Sequence, residues 1–249
     1  MTSSTQKNAC IKTVLVLGAN SDVAKEAIKL YIKGGNRVIA ASRSIDELNT
    51  FCEQQGFAND RCIVQYFDAV DFDSHQQFYK NLPYQPNIVL YAAGFLKNNE
   101  GALLDWESTY RMMAVHYCGA VSILNIIATD NSNTGLEKII GLSSLSGVRG
   151  RKSNFIYGST KSAFTQYLAG MRQYLFSRNI SVHVIVAGYI RSKMTAGLNL
   201  PESLMLELSF IAKAIVHTPK RFIIVPGFKW KLIYTVLKIM PERFVAQLP

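Results

Sequence analysis

Cysteine and acidic residues are both scarce in this 249-residue chain, and each scarcity excludes something. The four cysteines, Cys10, Cys52, Cys62 and Cys118, are scattered and form no Cys-x-x-Cys pair. That excludes a disulfide frame or a cysteine zinc site and predicts free thiols in a reducing, cytoplasmic compartment. His75, His116, His183 and His217 show no ligand-like spacing with cysteines or acids, so no metal site is expected. Sixteen glycines exclude a collagen-like repeat, and no heptad is sustained. No uninterrupted apolar run reaches the ~18–20 residues of a membrane-spanning helix. The polar stretch Met1 to Thr13 lacks the ~7–15-residue apolar centre of a signal peptide. With 17 acids against 27 bases the net charge is +10, which suits an anionic partner: nucleic acid, anionic lipid or a phosphorylated substrate. Apolar residues make up 49%, too many for a disordered chain.

What is present is a regular alternation. Val- and Ile-rich runs at Thr13–Leu17, Arg37–Ala41, Cys62–Phe67, Asn87–Ala92, Lys138–Leu142, Ser181–Val186 and Arg221–Val225 read as strands. Amphipathic segments of helical period separate them. This predicts one domain over 1–249: a doubly wound parallel α/β (Rossmann) sheet of about seven strands, helices on both faces, and a basic C-terminal extension over 226–249. Such sheets bind ligands beyond the carboxyl ends of their strands.

The first strand runs into Gly18-Ala19-Asn20-Ser21-Asp22-Val23 and then a helix. Gly18 lets the backbone approach a pyrophosphate, Asn20 and Ser21 offer hydrogen bonds, and the N–H groups at Asp22 and Val23 open the helix. A plain strand-to-helix turn reads the same way. The second strand ends at Arg43 rather than at an acid, which favours NADP over NAD through the 2′-phosphate. A solvated loop arginine is the alternative. Asp68 closes the third strand, where its carboxylate can accept from adenine, and Ala92-Ala93-Gly94 closes the fourth with side chains small enough for a nucleoside.

Ser144 closes the fifth strand, and Tyr157 and Lys161 follow at i and i+4 on one helix face. An ammonium beside a phenol favours the phenolate, giving an acid and base usable near neutral pH, while a serine hydroxyl holds a carbonyl oxygen. In joint spacing, Gly18, Ala92-Ala93-Gly94, Ser144, Tyr157, Lys161 and Ala187-Gly188-Tyr189-Ile190-Arg191-Ser192 resemble the short-chain dehydrogenase/reductase family over roughly residues 13–225. The resemblance implies hydride transfer between a nicotinamide cofactor and a ketone or secondary alcohol. Tyr157 is then the general acid/base, Ser144 orients the carbonyl, and Lys161 tunes Tyr157 and holds the nicotinamide ribose. It also implies that Gly188, Ile190 and Ser192 line the cofactor, Ser192 near the carboxamide.

Departures from the family pattern are specific. Its glycine run T-G-x-x-x-G-x-G keeps only Gly18 here, and its helix asparagine, part of a proton relay, is His116. A histidine either relays protons or is hydrogen-bonded for structure alone. The loop Val148-Arg149-Gly150-Arg151-Lys152 carries three cations for an anionic substrate group, or is simply solvated. The tail Phe228–Met240 is a basic, aromatic-bearing helix that either lies in a membrane interface, with Trp230 and Tyr234 at headgroup level, or covers the core or a dimer contact. The stretch between Gly188 and the last strand is short, predicting an open site. More narrowly, the Gly-x-x-Ser-Asp-x-Ala opening, Met194–Leu198 and the Pro226–Pro241 tail resemble a bacterial subgroup near the decaprenylphosphoryl-2-keto-ribose (keto-erythropentofuranose) reductases, which act on a lipid-linked sugar ketone.

The expectation is therefore a reductase of a small-molecule or lipid-linked carbonyl, peripheral to the inner face of the cytoplasmic membrane. Two competing readings are a soluble reductase of acyl or small carbonyls whose tail makes homo-oligomer contacts, and a non-catalytic nucleotide-binding scaffold. Nucleic-acid binding rests on net charge alone and is not expected.

Overall fold

The computed structural model describes residues 11–247, so the polar N-terminal stretch with Cys10 and the last two residues lie outside the described residues. The strands are β1 (Thr13–Leu17), β2 (Arg37–Ser42), β3 (Cys62–Tyr66), β4 (Ile88–Tyr91), β5 (Lys138–Ser144), β6 (Ser181–Ala187) and β7 (Ile223–Ile224). They form one parallel sheet in the order β3-β2-β1-β4-β5-β6-β7. The chain order reverses between β1 and β4, which pair with Leu17 opposite Tyr91, and a crevice opens at their carboxyl ends.

The helices are α1 (Asp22–Lys33), α2 (Ile45–Gln54), α3 (His75–Lys80), α4 (Asn99–Leu104), α5 (Trp106–Met113), α6 (Gly119–Thr129), α7 (Phe155–Tyr174), α8 (Leu208–Val216), α9 (Phe228–Ile239) and α10 (Glu242–Val245). The central strands bury both faces, so two cores form, while the edge strand β3 is half-exposed and ends at exposed Tyr66. Val14, Val16, Val38 and Ala40 point to one side, where α1, α2 and α8 supply Ala24, Ile28, Leu48, Ile211 and Ile215. Leu15, Leu17, Ile39 and Val89 point to the other, where α3, α6, α7 and α9 supply Tyr79, Ile123, Phe164, Leu168 and Trp230. This is the period-two alternation of a strand covered twice.

Two boundaries matter for the site. Strand β5 runs on to Ser144, two residues beyond the sequence expectation, because Ser143 and Ser144 keep pairing with Val186 and Ala187 of β6. Strand β7 shrinks to two residues that pair only with Val184 and Ile185 at the sheet edge. A five-residue π-helical turn, Ala114–Cys118, joins α5 to α6 and carries His116. The continuous helical run Trp106–Thr129 is long and apolar enough to cross a membrane by length and composition. In the fold its residues Ile123, Leu124 and Ile127 are wholly buried in the core.

Candidate active site

The site begins with how closely α7 lies on β5. A Cβ at Gly141 of β5 would come 2.3 Å from Leu168 and 2.7 Å from Phe164 of α7. Gly147 and Gly158 allow similar contact, since a Cβ there would come 2.7 Å from the Ser162 backbone N and 2.5 Å from the Ser146 carbonyl O. These close approaches bring the first turn of α7, with Tyr157, against the end of β5, with Ser144. Ser144 Oγ accepts from the Ser146 N–H at 3.2 Å, and its hydroxyl acts on the Tyr157 phenol to lower its pKa. Lys161 is buried, its Nζ donating to the Leu142 carbonyl at 3.1 Å and lying 5.9 Å from the centre of the Tyr157 ring.

The electrostatics differ from the sequence expectation, in which the lysine pulls the phenol down. Burial pushes the Tyr157 phenol up to about 12, opposed only by the hydrogen bond from Ser144. Burial likewise pushes Lys161 down to about 7. In a low-dielectric pocket each charged form loses its hydration, and this outweighs any attraction between the two groups.

His116 is wholly buried, and both ring nitrogens are engaged. Nε2 accepts from the Phe95 N–H at 3.0 Å, so the proton sits on Nδ1, which donates to Thr160 Oγ1 at 2.8 Å. Thr160 in turn donates to the Tyr157 carbonyl at 2.7 Å. Burial and the nearby Lys161 hold the imidazole well below its usual range. With no free nitrogen and no positive charge, His116 in this structure ties the β4 exit to the Tyr157 turn. Of the two expected roles, the hydrogen bonds on both nitrogens favour the structural one.

At the dinucleotide end the residues fit a nicotinamide dinucleotide. Gly18 has φ +84°, and a Cβ there would come 2.3 Å from the Ala93 N, so the loop folds tightly against the Ala92-Ala93-Gly94 exit of β4. The first N–H groups of α1, at Asp22 and Val23, carry no side-chain cap from Ser21, which leaves the positive helix end open to a phosphate. Val23 contributes backbone only, since its side chain is buried. Asn20 departs from the expectation: its amide donates to Ser42 Oγ at 3.1 Å and to the Ser44 carbonyl at 2.9 Å, bracing the loop after β2. Its Oδ1 is buried and unpartnered. Asp22 accepts from the Lys193 N–H at 2.7 Å and so ties the segment after β6 across the crevice. Arg43 is exposed just past the end of β2. Asp68 accepts from the Val70 N–H with Oδ1 at 3.1 Å. Ile190 bridges to Leu206, and the Ser192 hydroxyl lies 3.4 Å from Thr195 Oγ1.

The tail is the largest correction. Trp230 is only 4% exposed and donates through Nε1 to the Leu204 carbonyl at 2.8 Å. Its indole lies so close to Gly188 that a Cβ there would come within 2.1 Å. Tyr189 packs edge-on against it at 5.0 Å. Trp230, Tyr189, Leu204 and Ile233 wall a cavity of about 150 Å³ that opens on Ser144. So Trp230 does not sit at a headgroup level, Tyr234 is half-buried beside it, and the expected open site is closed on one side by α9. Arg149 turns away from any substrate: Nε and Nη2 donate to the Leu237, Lys238 and Met240 carbonyls at 3.0–3.3 Å. A cation there satisfies the orphan carbonyls at the end of α9.

Sequence reasoning missed Thr160, and it gave Trp230 and Arg149 other roles than packing α9 onto the site. It also missed Gly141, whose signal was available: a lone glycine inside an apolar strand marks a close approach.

The comparisons agree with this geometry. The short chain dehydrogenase family matches residues 12–203, more than half of the chain. An uncharacterized oxidoreductase of Mycobacterium tuberculosis is 25% identical over 241 residues, covering 93% of this chain and 94% of the relative. The 3-oxoacyl-[acyl-carrier-protein] reductase of Buchnera aphidicola is 26% identical over 200 residues, covering 76% of this chain and 77% of the relative. Among solved structures, a Burkholderia cenocepacia short chain dehydrogenase in complex with NADP superposes with a TM-score of 0.77 at 15% identity, covering 94% of this chain and 95% of its own. A Streptomyces avermitilis short-chain dehydrogenase gives 0.78 at 16% identity, covering 91% and 92%. With its sheet order, its crevice and this match in agreement, the chain belongs to the short chain dehydrogenase family of NAD(P)-dependent oxidoreductases.

Proposed function

We propose that the chain is a ketone reductase and secondary-alcohol dehydrogenase that prefers NADP and works through Ser144, Tyr157 and Lys161. The carrying observation is that Ser144, whose hydroxyl lowers the pKa of the buried Tyr157 phenol, lines a cavity with largely apolar walls. The bound nicotinamide supplies or takes the hydride. Ser144 holds the carbonyl oxygen, and Tyr157 donates its proton to that oxygen in reduction and accepts it back in oxidation. The proton stays on the phenol until needed, because burial keeps Tyr157 neutral. Lys161, anchored to the Leu142 carbonyl, would hold the nicotinamide ribose. Gly18, the α1 N–H groups and the Ala92–Gly94 exit would hold the dinucleotide, and exposed Arg43 supports the choice of NADP.

A specific observation also supports a place on the inner face of the cytoplasmic membrane. Opposite its buried side, α9 carries a second apolar stripe, Phe228, Leu232, Val236 and Ile239, all exposed. Exposed Lys231 and Lys238 flank it. That pattern suits anionic lipid and a lipid-linked ketone delivered from it. A homo-oligomer contact on the same stripe is the alternative.

Tyr157→Phe tests the chemistry. Turnover should fall by roughly 10²–10⁴-fold with NADPH affinity little changed. Near-full activity would remove Tyr157 as the acid.

A further inference from the structure

The basic loop after β5 holds one cation whose place the reaction does not yet explain. Arg149 closes the end of α9, and Lys152 is exposed. Arg151 instead lines the same cavity of about 150 Å³ as Ser144, facing a set of apolar walls that includes Trp230, Leu204 and Ile233. Its Nε is buried without a hydrogen-bond partner. Among the described residues no carboxylate pairs with it, although Arg149 and Arg191 both have acidic partners. A buried guanidinium N–H without an acceptor is unfavourable, and a ligand acceptor would relieve it. The planar fork of arginine fits the two oxygens of a carboxylate or phosphate. A neutral alcohol or alkyl ketone offers it nothing of that kind.

We propose that Arg151 is the specificity-determining residue of this site, binding a carboxylate or phosphate carried by the substrate a few atoms from its carbonyl. The substrate class is then anionic ketones, with any apolar portion lying against Trp230 and Ile233. The proposal rests on reading Ser144 and Tyr157 as the carbonyl-binding pair.

Because Trp230 shares this cavity, binding can be read without turnover. The only other tryptophan, Trp106, is 70% exposed, so Trp106→Phe leaves Trp230 as the single indole. In that background, saturated with NADP, Trp230 emission is titrated with acetoacetate, inorganic phosphate and uncharged acetone. A saturable change is expected with at least one anion and not with acetone. Arg151→Met should weaken it by roughly ten- to hundredfold, the loss of a charge-assisted bond, and Arg151→Lys should recover part of it. A response to acetoacetate alone identifies a carboxylate subsite, and one to phosphate alone a phosphate subsite. In parallel, NADPH oxidation is followed with acetoacetate against acetone and with dihydroxyacetone phosphate against dihydroxyacetone. Arg151→Met should lower kcat/KM for the charged member of a pair while sparing the neutral one. No saturable change with either anion, or one that Arg151→Met leaves intact, overturns the proposal. Arg151-dependent binding with no NADPH oxidation on any ketone would support the subsite and refute the reductase reading instead.

Discussion

Helix α9 presents two apolar faces, and substitutions on each should have opposite consequences. Trp230 lies on the inner face, 4% exposed and hydrogen-bonded to Leu204. Truncating a buried Trp to Ala removes about 3–5 kcal/mol. For a chain of this size each kcal/mol moves Tm by about 2–4 °C, so Trp230→Ala should melt about 6–20 °C lower. Trp230→Phe keeps most of the ring and loses the indole bond, roughly 1 kcal/mol, or about 2–4 °C. On the outer face Leu232 is 58% exposed. Leu232→Glu should therefore change stability by no more than ~0.5 kcal/mol. If the outer stripe binds lipid as proposed, it should instead abolish co-sedimentation with phosphatidylserine vesicles, because it places a carboxylate in that stripe. In the proposed association Lys231 and Lys238 would contribute about 1 kcal/mol each, so salt should release the native protein. Melting curves by far-UV circular dichroism and vesicle sedimentation read the two faces separately. A Trp230→Ala protein melting within ~2 °C of the native one would refute the packing of α9 on the domain. Unchanged sedimentation of Leu232→Glu would refute the membrane contact.

Two further outcomes follow from the charges of the site. Burial holds folded Lys161 at about 7 against an ordinary 10.5, so between those values the unfolded chain binds a proton that the folded one has released. Stability from this group is least below about pH 7 and rises with pH across the window. Lys161→Met should therefore stabilise the protein at about pH 6 and do so less at about pH 10, read by urea denaturation; an equal gain at both would contradict the burial argument. Arg43→Ala should remove most of a roughly 10–150-fold preference for NADPH over NADH, measured by cofactor titration, and a native protein that binds NADH as well as NADPH would exclude the 2′-phosphate contact.

The α/β alternation was legible because each buried strand is a short apolar run, and period alone separates such runs from the amphipathic helices between them. Ser144, Tyr157 and Lys161 were legible as a spacing, since i and i+4 on one helix share a face whatever surrounds them. Their charge states were not. Burial pushes Tyr157 up and Lys161 down, and burial belongs to neighbours far away in the chain, such as Gly141, which lets α7 settle onto β5. The same holds for His116, whose two nitrogens meet Phe95 and Thr160 only after β4 and α7 have converged. It holds most plainly for the tail. Composition marked Phe228 to Met240 as a basic amphipathic helix and left open which side was inward. Only folding laid Trp230 on Gly188, 42 residues away, and set Arg149 on the last carbonyls of α9. A sequence fixes which faces a helix has, because its period is local; which face meets the core depends on non-local packing, and that is decided only when the chain closes on itself.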